Sequence, residues 1–529
     1  MNLALKSRLV CCSLLATVLG ACGGSGVSSG GGPGPGGHAS RAGRAIQEAD
    51  IYKLAGDTLY ILNATYRGLQ IVDVSNPRSP SLAGHVLVTG SPRQIYVEGN
   101  IAYVLVSGAF DYDCGGYHGI CGWQAQSGVS TLVLAVDVSS PASPKVLGQL
   151  RIDGDLQDSR IVGNILYVVA DTDALTYVES VDVSDPQSFR KVAQLDFPFA
   201  QWDVGVFANV TETRIIIAGA GDTCDATDSA SGCSEETSVT QFTPIDITDP
   251  HGQMVKGTPF VGSGIVMDRW AMDFDPASGL FRAVLSSDNP HVSPGGGSLT
   301  TWAAPTIHGA TQRGSVPFVV GDNITAAAFS GSRVYVSSAL ATTNCPAPLA
   351  VFDTSDTARP AVLGGVTIPG AVDFIYPLDK QLIGFGHADS NCVAFQGTGQ
   401  LAVSLVDVSD SAKPSLLSQV TFGDKNAAVA ASRSDLKKAL MVLPPMNLIL
   451  VPYQMDAGKE GQGSTQLIDL ATAGLKLRGT APHSGLLERA FPVRNDLAAF
   501  SDQDLQIIDI TNRDTPATAA QLDLLSGTH

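Results

Sequence analysis

A phrase that recurs along the chain, a turn-and-aromatic phrase that precedes it, and the lack of long stretches with 3.6-residue apolar spacing together predict an all-β fold. The expected architecture is a single large β-propeller of eight or nine four-stranded blades behind an export signal and a flexible tether.

The recurring phrase is an apolar alternating run ending in Asp, then an aliphatic residue, Ser or Thr, often Pro, and a second short apolar run. Its copies read IVDVSNPRSPSLAG (71–84), AVDVSSPASPKVLG (135–148), SVDVSDPQSFRKVAQL (180–195) and PIDITDPHGQMVKG (244–257). They continue as VFDTSDTARPAVLG (351–364), LVDVSDSAKPSLLS (405–418), LIDLATAGLKLRG (467–479) and IIDITNRDTPATAAQL (507–522). The companion phrase appears as GDTLYIL (56–62), GNIAYVLV (99–106), GNILYVVA (163–170) and GSRVYVSS (331–338).

Each part of the unit has a physical reading. Gly followed by Asn or Asp marks a tight turn, because glycine accepts positive φ without steric cost. Val, Ile, Leu and Tyr in alternation suit a pleated surface with a buried face. The Asp-x-Ser/Thr-x-x-Pro piece closes a strand, with side-chain oxygens accepting nearby backbone N–H groups and Pro preventing further pairing. One such sheet cannot bury both faces alone, but radial stacking covers each face with a neighbour.

The motif aspartates are Asp73, Asp137, Asp182, Asp246, Asp353, Asp407, Asp469 and Asp509. The gap between Asp246 and Asp353 is about double the others and predicts a degenerate unit, with strands from MDRWAMDFDPASGLFRAVLSS (267–287) and SLTTWAAP (298–305). That gives nine sequence units, or eight blades if one is split. The expected organisation is a signal over 1–21, a lipidated Cys22 and tether over 22–45, and the propeller over 46–529.

Lys6 and Arg8, an apolar run from Leu9 to Leu19 and then Gly20-Ala21-Cys22 have the three-part layout of a secretory signal. Leu19-Gly20-Ala21-Cys22 resembles the bacterial lipobox, which implies lipid attachment at Cys22. Residues 23–37 are rich in Gly, Ser and Pro and read as a flexible tether. The expected address is the bacterial cell envelope, membrane-held by the lipid. Gly23 rather than Asp after the cysteine favours the outer membrane.

Cysteine use agrees with export. Cys11 and Cys12 leave with the signal, and six remain in the body: Cys114, Cys121, Cys224, Cys233, Cys345 and Cys392. Local disulfides Cys114–Cys121 and Cys224–Cys233 are the economical pairing and leave Cys345 with Cys392, although sequence alone does not choose among the pairings. No CxxC occurs, so disulfides are preferred to a metal.

A 529-residue chain that is 44% hydrophobic and 16% charged is neither disordered nor a multi-span membrane protein. Its net charge of −18 argues against nucleic acid as a partner.

EADIYKLAGDTLYIL (48–62) resembles the opening of a family of secreted and lipoprotein β-propellers of bacteria and archaea, distantly related to WD40 repeats. Residues 347–386, 401–424 and DLKKALMVLPPMNLILVPY (435–453) follow in that family's order, and the VDVS-type phrase is similar to LVIVD-type repeats. The family usually carries a His within 435–439, where this chain has Leu436, Lys437 and Lys438. The resemblance implies fold and compartment but no chemistry.

The chain contains no HExxH, Walker loop or dinucleotide fingerprint, and its histidines are scattered singly. GVSSG (26–30) has the nucleophile-elbow spelling but lies in the tether, without a strand before it. Acidic clusters at Asp153, Asp155 and Asp158, and at Asp222, Asp225, Asp228, Glu235 and Glu236, read as solvated loops with at most adventitious calcium. Glu48, Asp50 and Lys53 read as a charged strand edge, and the motif aspartates as turn closers. Trp123, Trp202, Trp270 and Trp302 fall in separate units, and insertions at 115–124, 222–238 and 388–399 suit rim loops.

No catalytic, cofactor or metal residue is assigned. The expected function is a monomeric, non-enzymatic binding or scaffold module for a protein, peptide or glycan. The alternative is a hydrolase or lyase in the funnel, whose mark would be titratable groups from three or more units within hydrogen-bond reach. A surface adhesin is a third reading.

Overall fold

The computed structural model describes residues 44–108, 110–113, 122–125, 130–172, 175–199, 205–221, 239–275, 278–287, 296–318, 323–339, 347–388, 399–455 and 463–525. Nine of its antiparallel sheets follow one another along the chain, each built on a meander, so the count is nine blades; a further two-stranded sheet pairs Phe110–Asp113 with Gly122–Ala125. Blades 1 to 9 span 52–87, 91–153, 155–197, 207–263, 272–318, 323–368, 371–422, 441–483 and 487–523. The degenerate unit is blade 5, with strands Met272–Asp275, Leu280–Ser287, Gly296–Ala303 and Gln312–Phe318. Blade 4 departs in having its outer strand broken into Val255–Lys256 and Phe260–Ser263 around Pro259.

The turn signals act as the sequence indicates. Gly56, Gly99, Gly163 and Gly331 adopt positive φ between the first and second strands of their blades. Seven motif aspartates accept the backbone N–H two residues on, as Asp73 does from Ser75 at 2.8 Å and Asp407 from Ser409 at 2.8 Å. Asp469 differs because Ala471 replaces the Ser or Thr, and its carboxylate is taken by Arg478 and Arg513 at 2.6 Å each.

The final Gly of the phrase has a second role. Beside it the outer strand carries a β-bulge, and there the next blade's turn docks. A Cβ on Gly84 would lie 1.9 Å from Pro141 O, and one on Gly364 would lie 2.5 Å from Ala412 O. Blade-to-blade contact is therefore backbone-close at this point.

Apolar side chains between blades form the core. Blade 9 packs directly on blade 1, with Tyr52 stacked on Phe491 at 4.3 Å and Leu59, Ile61, Phe500 and Ile507 buried around them. The ring closes without strand exchange, since each blade is one continuous segment. Arg78 of blade 1 also reaches Asp496 and Asp509 of blade 9. Among the described residues, no helix is long and apolar enough to cross a membrane.

Inner strands face a central channel. Strand Ile46–Glu48 lies inside it, paired antiparallel with the inner strand of blade 3. Two other inserts enter from connections between blades: Arg269–Ala271 before blade 5, and the turn Arg433–Asp435 with helix Leu436–Ala439 before blade 8.

Candidate functional site: the central channel

The three inserts meet on charged contacts. Glu48 Oε1 lies 2.6 Å from Arg269 Nη2, 3.4 Å from Arg160 Nη2 and 3.6 Å from Lys438 Nζ. Asp158 pairs with Arg160 at 2.5 Å and Arg269 at 3.8 Å, and Asp435 with Lys438 at 3.2 Å. At the mouth, Asp50 holds Arg489 at 2.8 Å. Trp270 ties the inserts together: its ring lies 4.3 Å from the Arg269 guanidinium and 4.4 Å from Lys437 Nζ, and its indole N–H donates to Ser434 O at 3.2 Å.

These contacts set the protonation of the cluster. Burial raises the Glu48 carboxyl, but Arg160, Arg269, Lys438 and Lys437 together outweigh it and hold it well below the usual carboxylate range. Asp435 is lowered against its burial, chiefly by Lys438. Burial lowers Lys437, with Arg269 and Arg160 adding to the effect and Glu48 opposing it. Glu488 differs: burial, with Asp502 and Asp50 adding to it, pushes it up to about 7 despite Arg489.

The plug leaves a cavity at each end. The upper one, about 500 Å³, lies where inner strands begin and is lined by Asp50, Arg93, Gln157, Asp158, Arg269, Lys438, Glu488 and Arg489 among others. The lower, about 390 Å³, lies where several inner strands end; Arg269 lines both.

One local feature recurs at the upper mouth. Five inner strands carry a β-bulge near their start, and the residues set out of register are Arg93, Gln157, Thr325, Asp373 and Glu488. Such a bulge re-aims a side chain from a rigid strand. Arg93, Gln157 and Glu488 line the upper cavity, whereas Thr325 is buried and Asp373 is buried against His387 at 3.0 Å.

Of the residues singled out in the sequence, Glu48, Asp50, Asp158, Trp270, Lys437 and Lys438 come together here. Asp153 and Asp155 do not join Asp158, whose carboxylate is taken by arginines, and Asp155 starts the inner strand of blade 3. Lys53 lies half-buried on the inner strand of blade 1. Trp302 is a core residue within a Phe242, Phe260 and Phe281 cluster, so it offers no binding face. Cys22, Cys114, Cys121, Cys224, Cys233, Cys345, Cys392, Trp202, the Trp123 side chain and the acidic loop 222–238 lie outside the described residues. Among the described residues, no group of three or more His, Cys, Asp or Glu could hold a metal.

Arg160, Arg269, Arg489, Glu488 and Arg93 were not foreseen. Their signal was a pair of opposite charges next to an apolar run, as in DSRIVG, DRWAMD and LLERAFP.

A family model described as "Beta propeller domain" matches residues 43–201 and 208–513. No curated protein matches the chain. Among solved structures, a functionally unknown protein from Desulfotomaculum acetoxidans is 9% identical, covering 84% of this chain and 99% of that one at a TM-score of 0.38. A hypothetical selenium-binding protein from Sulfolobus tokodaii is 11% identical, covering 67% and 88% at 0.33. Sqt1 from Chaetomium thermophilum is 13% identical, covering 76% and 91% at 0.39.

Proposed function

The chain belongs to the β-propeller domain family, and on that premise we propose that it is a non-enzymatic binding and scaffold module, anchored by a lipid on Cys22 to the bacterial cell envelope. The observation that carries this reading is the upper cavity. Its walls come from inner strands and from the inserts that cross the channel, and most of its charges already neutralise each other, as in Asp50–Arg489, Asp158–Arg160 and Asp435–Lys438. Paired charges on a fixed frame make a preorganised polar socket, suited to a polar protein segment, peptide or glycan. Arg93 and Gln157, exposed on their bulges, are the residues a ligand meets first. The net charge of −18 argues against nucleic acid, and the lipobox-like Leu19-Gly20-Ala21-Cys22 with its glycine-rich tether supports outer-membrane attachment, with kinship to LVIVD-type surface propellers.

The test has two arms. Cys22→Ser should move the protein out of the membrane fraction without unfolding it; retention after a salt wash would remove the lipid from the account. Peptide and glycan arrays probed with the lipid-free body should give ligands that a combined Arg93→Glu, Gln157→Lys variant no longer retains. Identical retention by the variant would displace the site from this mouth.

One observation favours a second reading. The funnel does bring titratable groups from several units within reach, and Glu488, half-protonated near neutrality, has the poise of a general acid or base. A hydrolase or lyase would turn its ligand over and lose that turnover in Glu488→Gln, whereas a binding module would show no turnover in either protein.

A further inference from the structure

We propose that the lower cavity is a second, separate binding site, taking a small monoanion with an aromatic or compact apolar body, an aryl carboxylate being the simplest form. Its walls are mixed: Phe329, Phe374, Tyr376 and Met272 from the inner strands of blades 5 to 7 form an apolar side, and Asn209 and Asp273 stand among them. At its inner end stand Lys437, Arg160 and Arg269.

The charges there do not cancel as they do above. The two carboxylates that line the cavity are both committed: Asp273 is held by Arg282, and Glu48 is shared among Arg269, Arg160 and Lys438. Among the described residues the Lys437 ammonium makes no ion pair, and its contact is with the face of Trp270 at 4.4 Å. The two guanidinium groups beside it are matched by Glu48 and Asp158, so Lys437, half-buried and with no ion pair of its own, is the cation left over for an incoming anion.

The walls choose which anion. A phosphate or sulfate would give up much hydration against Phe329, Phe374 and Tyr376 for little contact, whereas an aryl carboxylate places a ring on rings and one charge at Lys437. At about 390 Å³ the cavity is near the small end of ligand sites and admits one or two rings rather than a chain of residues. The plug lies between it and the upper mouth, with Arg269 and Ala208 lining both cavities.

The experiment is calorimetric titration of the full-length chain with benzoate, 3-phenylpropionate and indole-3-acetate, each against its neutral amide and against inorganic phosphate. At least one carboxylate should bind saturably with one site per chain, and its amide and phosphate should bind about tenfold more weakly or worse. Lys437→Gln should remove the preference for carboxylate over amide. Asn209→Trp, which adds bulk at the cavity from the inner strand of blade 4 without removing a charge, should abolish binding of both; it also guards against Lys437→Gln failing to fold. No saturable binding by any of the three carboxylates, equal affinity for acid and amide, or unchanged binding in folded Asn209→Trp would each overturn the proposal.

Discussion

The Glu48 carboxylate and the Arg269 guanidinium, 2.6 Å apart and from segments far apart in sequence, join the N-terminal strand to the insert before blade 5 in the middle of the channel. Arg269 is buried, and Glu48 is the anion around which four cations are arranged. Glu48→Gln should leave those cations uncompensated and destabilise the fold. A fully buried pair broken this way costs about 3–5 kcal/mol. Because the Glu48 side chain keeps 38% exposure, about 1–3 kcal/mol is expected by urea unfolding at pH 7. Its folded pKa is depressed, so the contribution is present above the unfolded value and fades as pH falls through the folded one. Wild type and variant should therefore converge in acid, and a gap unchanged down to pH 3 would contradict the ion-pair account. Adding Arg269→Met to Glu48→Gln should recover part of the loss.

Glu488 predicts the opposite slope. Its carboxyl is raised to about 7, so the unfolded chain gives up this proton first as pH rises above the ordinary glutamate value. Between there and about pH 7 the folded state holds more protons, and stability falls with rising pH. Glu488→Gln should remove this slope and be the more stable protein at pH 8, by up to about 3 kcal/mol. Parallel stability profiles of the two proteins from pH 5 to 8 would refute the assignment.

The repeat was legible because each blade needs the same local devices, so Asp, Gly and the aromatic strand recur and add up over the chain. Even blade 5 could be placed from its two phrases. The blade count stayed open between eight and nine because sequence spacing does not show whether a degenerate unit completes its sheet. The site was legible only in fragments. Glu48, Asp50, Trp270, Lys437 and Lys438 stood out, but their convergence depends on inserts that break the repeat and on blades far apart in sequence. The bulges that aim Arg93, Gln157 and Glu488 shift register by one residue, which alternation alone does not reveal. Asp158 looked like part of an acidic loop and is instead an arginine partner, a distinction made only by the neighbouring strand.

The close approach of blades 1 and 2 gives a backbone test. Gly84 has no room for a Cβ, since Pro141 O would be 1.9 Å away and the docked turn cannot give as a flexible side chain would. Gly84→Ala should force blades 1 and 2 apart and cost about 1–3 kcal/mol, as overpacking does. Gly56→Ala is the control: its φ of +60° strains any side chain, yet no atom lies within 4 Å of the added Cβ. That variant should lose about 1 kcal/mol, the usual cost of holding a non-glycine residue in the left-handed region. Equal unfolding midpoints for the two variants would mean that the blades do not meet as tightly as Gly84 implies.

His483 supplies a titration in a different window. Its Nδ1 lies 3.0 Å from Asp504 Oδ1 and 2.8 Å from Ser484 O, and its Nε2 lies 3.0 Å from Ala499 O. Both ring nitrogens face acceptors, so only the doubly protonated imidazolium satisfies them all. Burial lowers the pKa of this ring, but Asp504 and the two carbonyls outweigh it and leave it raised. A raised histidine contributes stability that is complete below the unfolded value, about 6.5, and is lost as pH rises through the folded one. This loss should begin near where the Glu488 slope ends, so the Glu488→Gln background isolates it. In that background His483→Gln, which keeps a donor but no charge, should be less stable at pH 6 by about 1.5–3 kcal/mol and approach its parent in alkali. A difference that persists undiminished to pH 10 would show that His483 acts through packing alone.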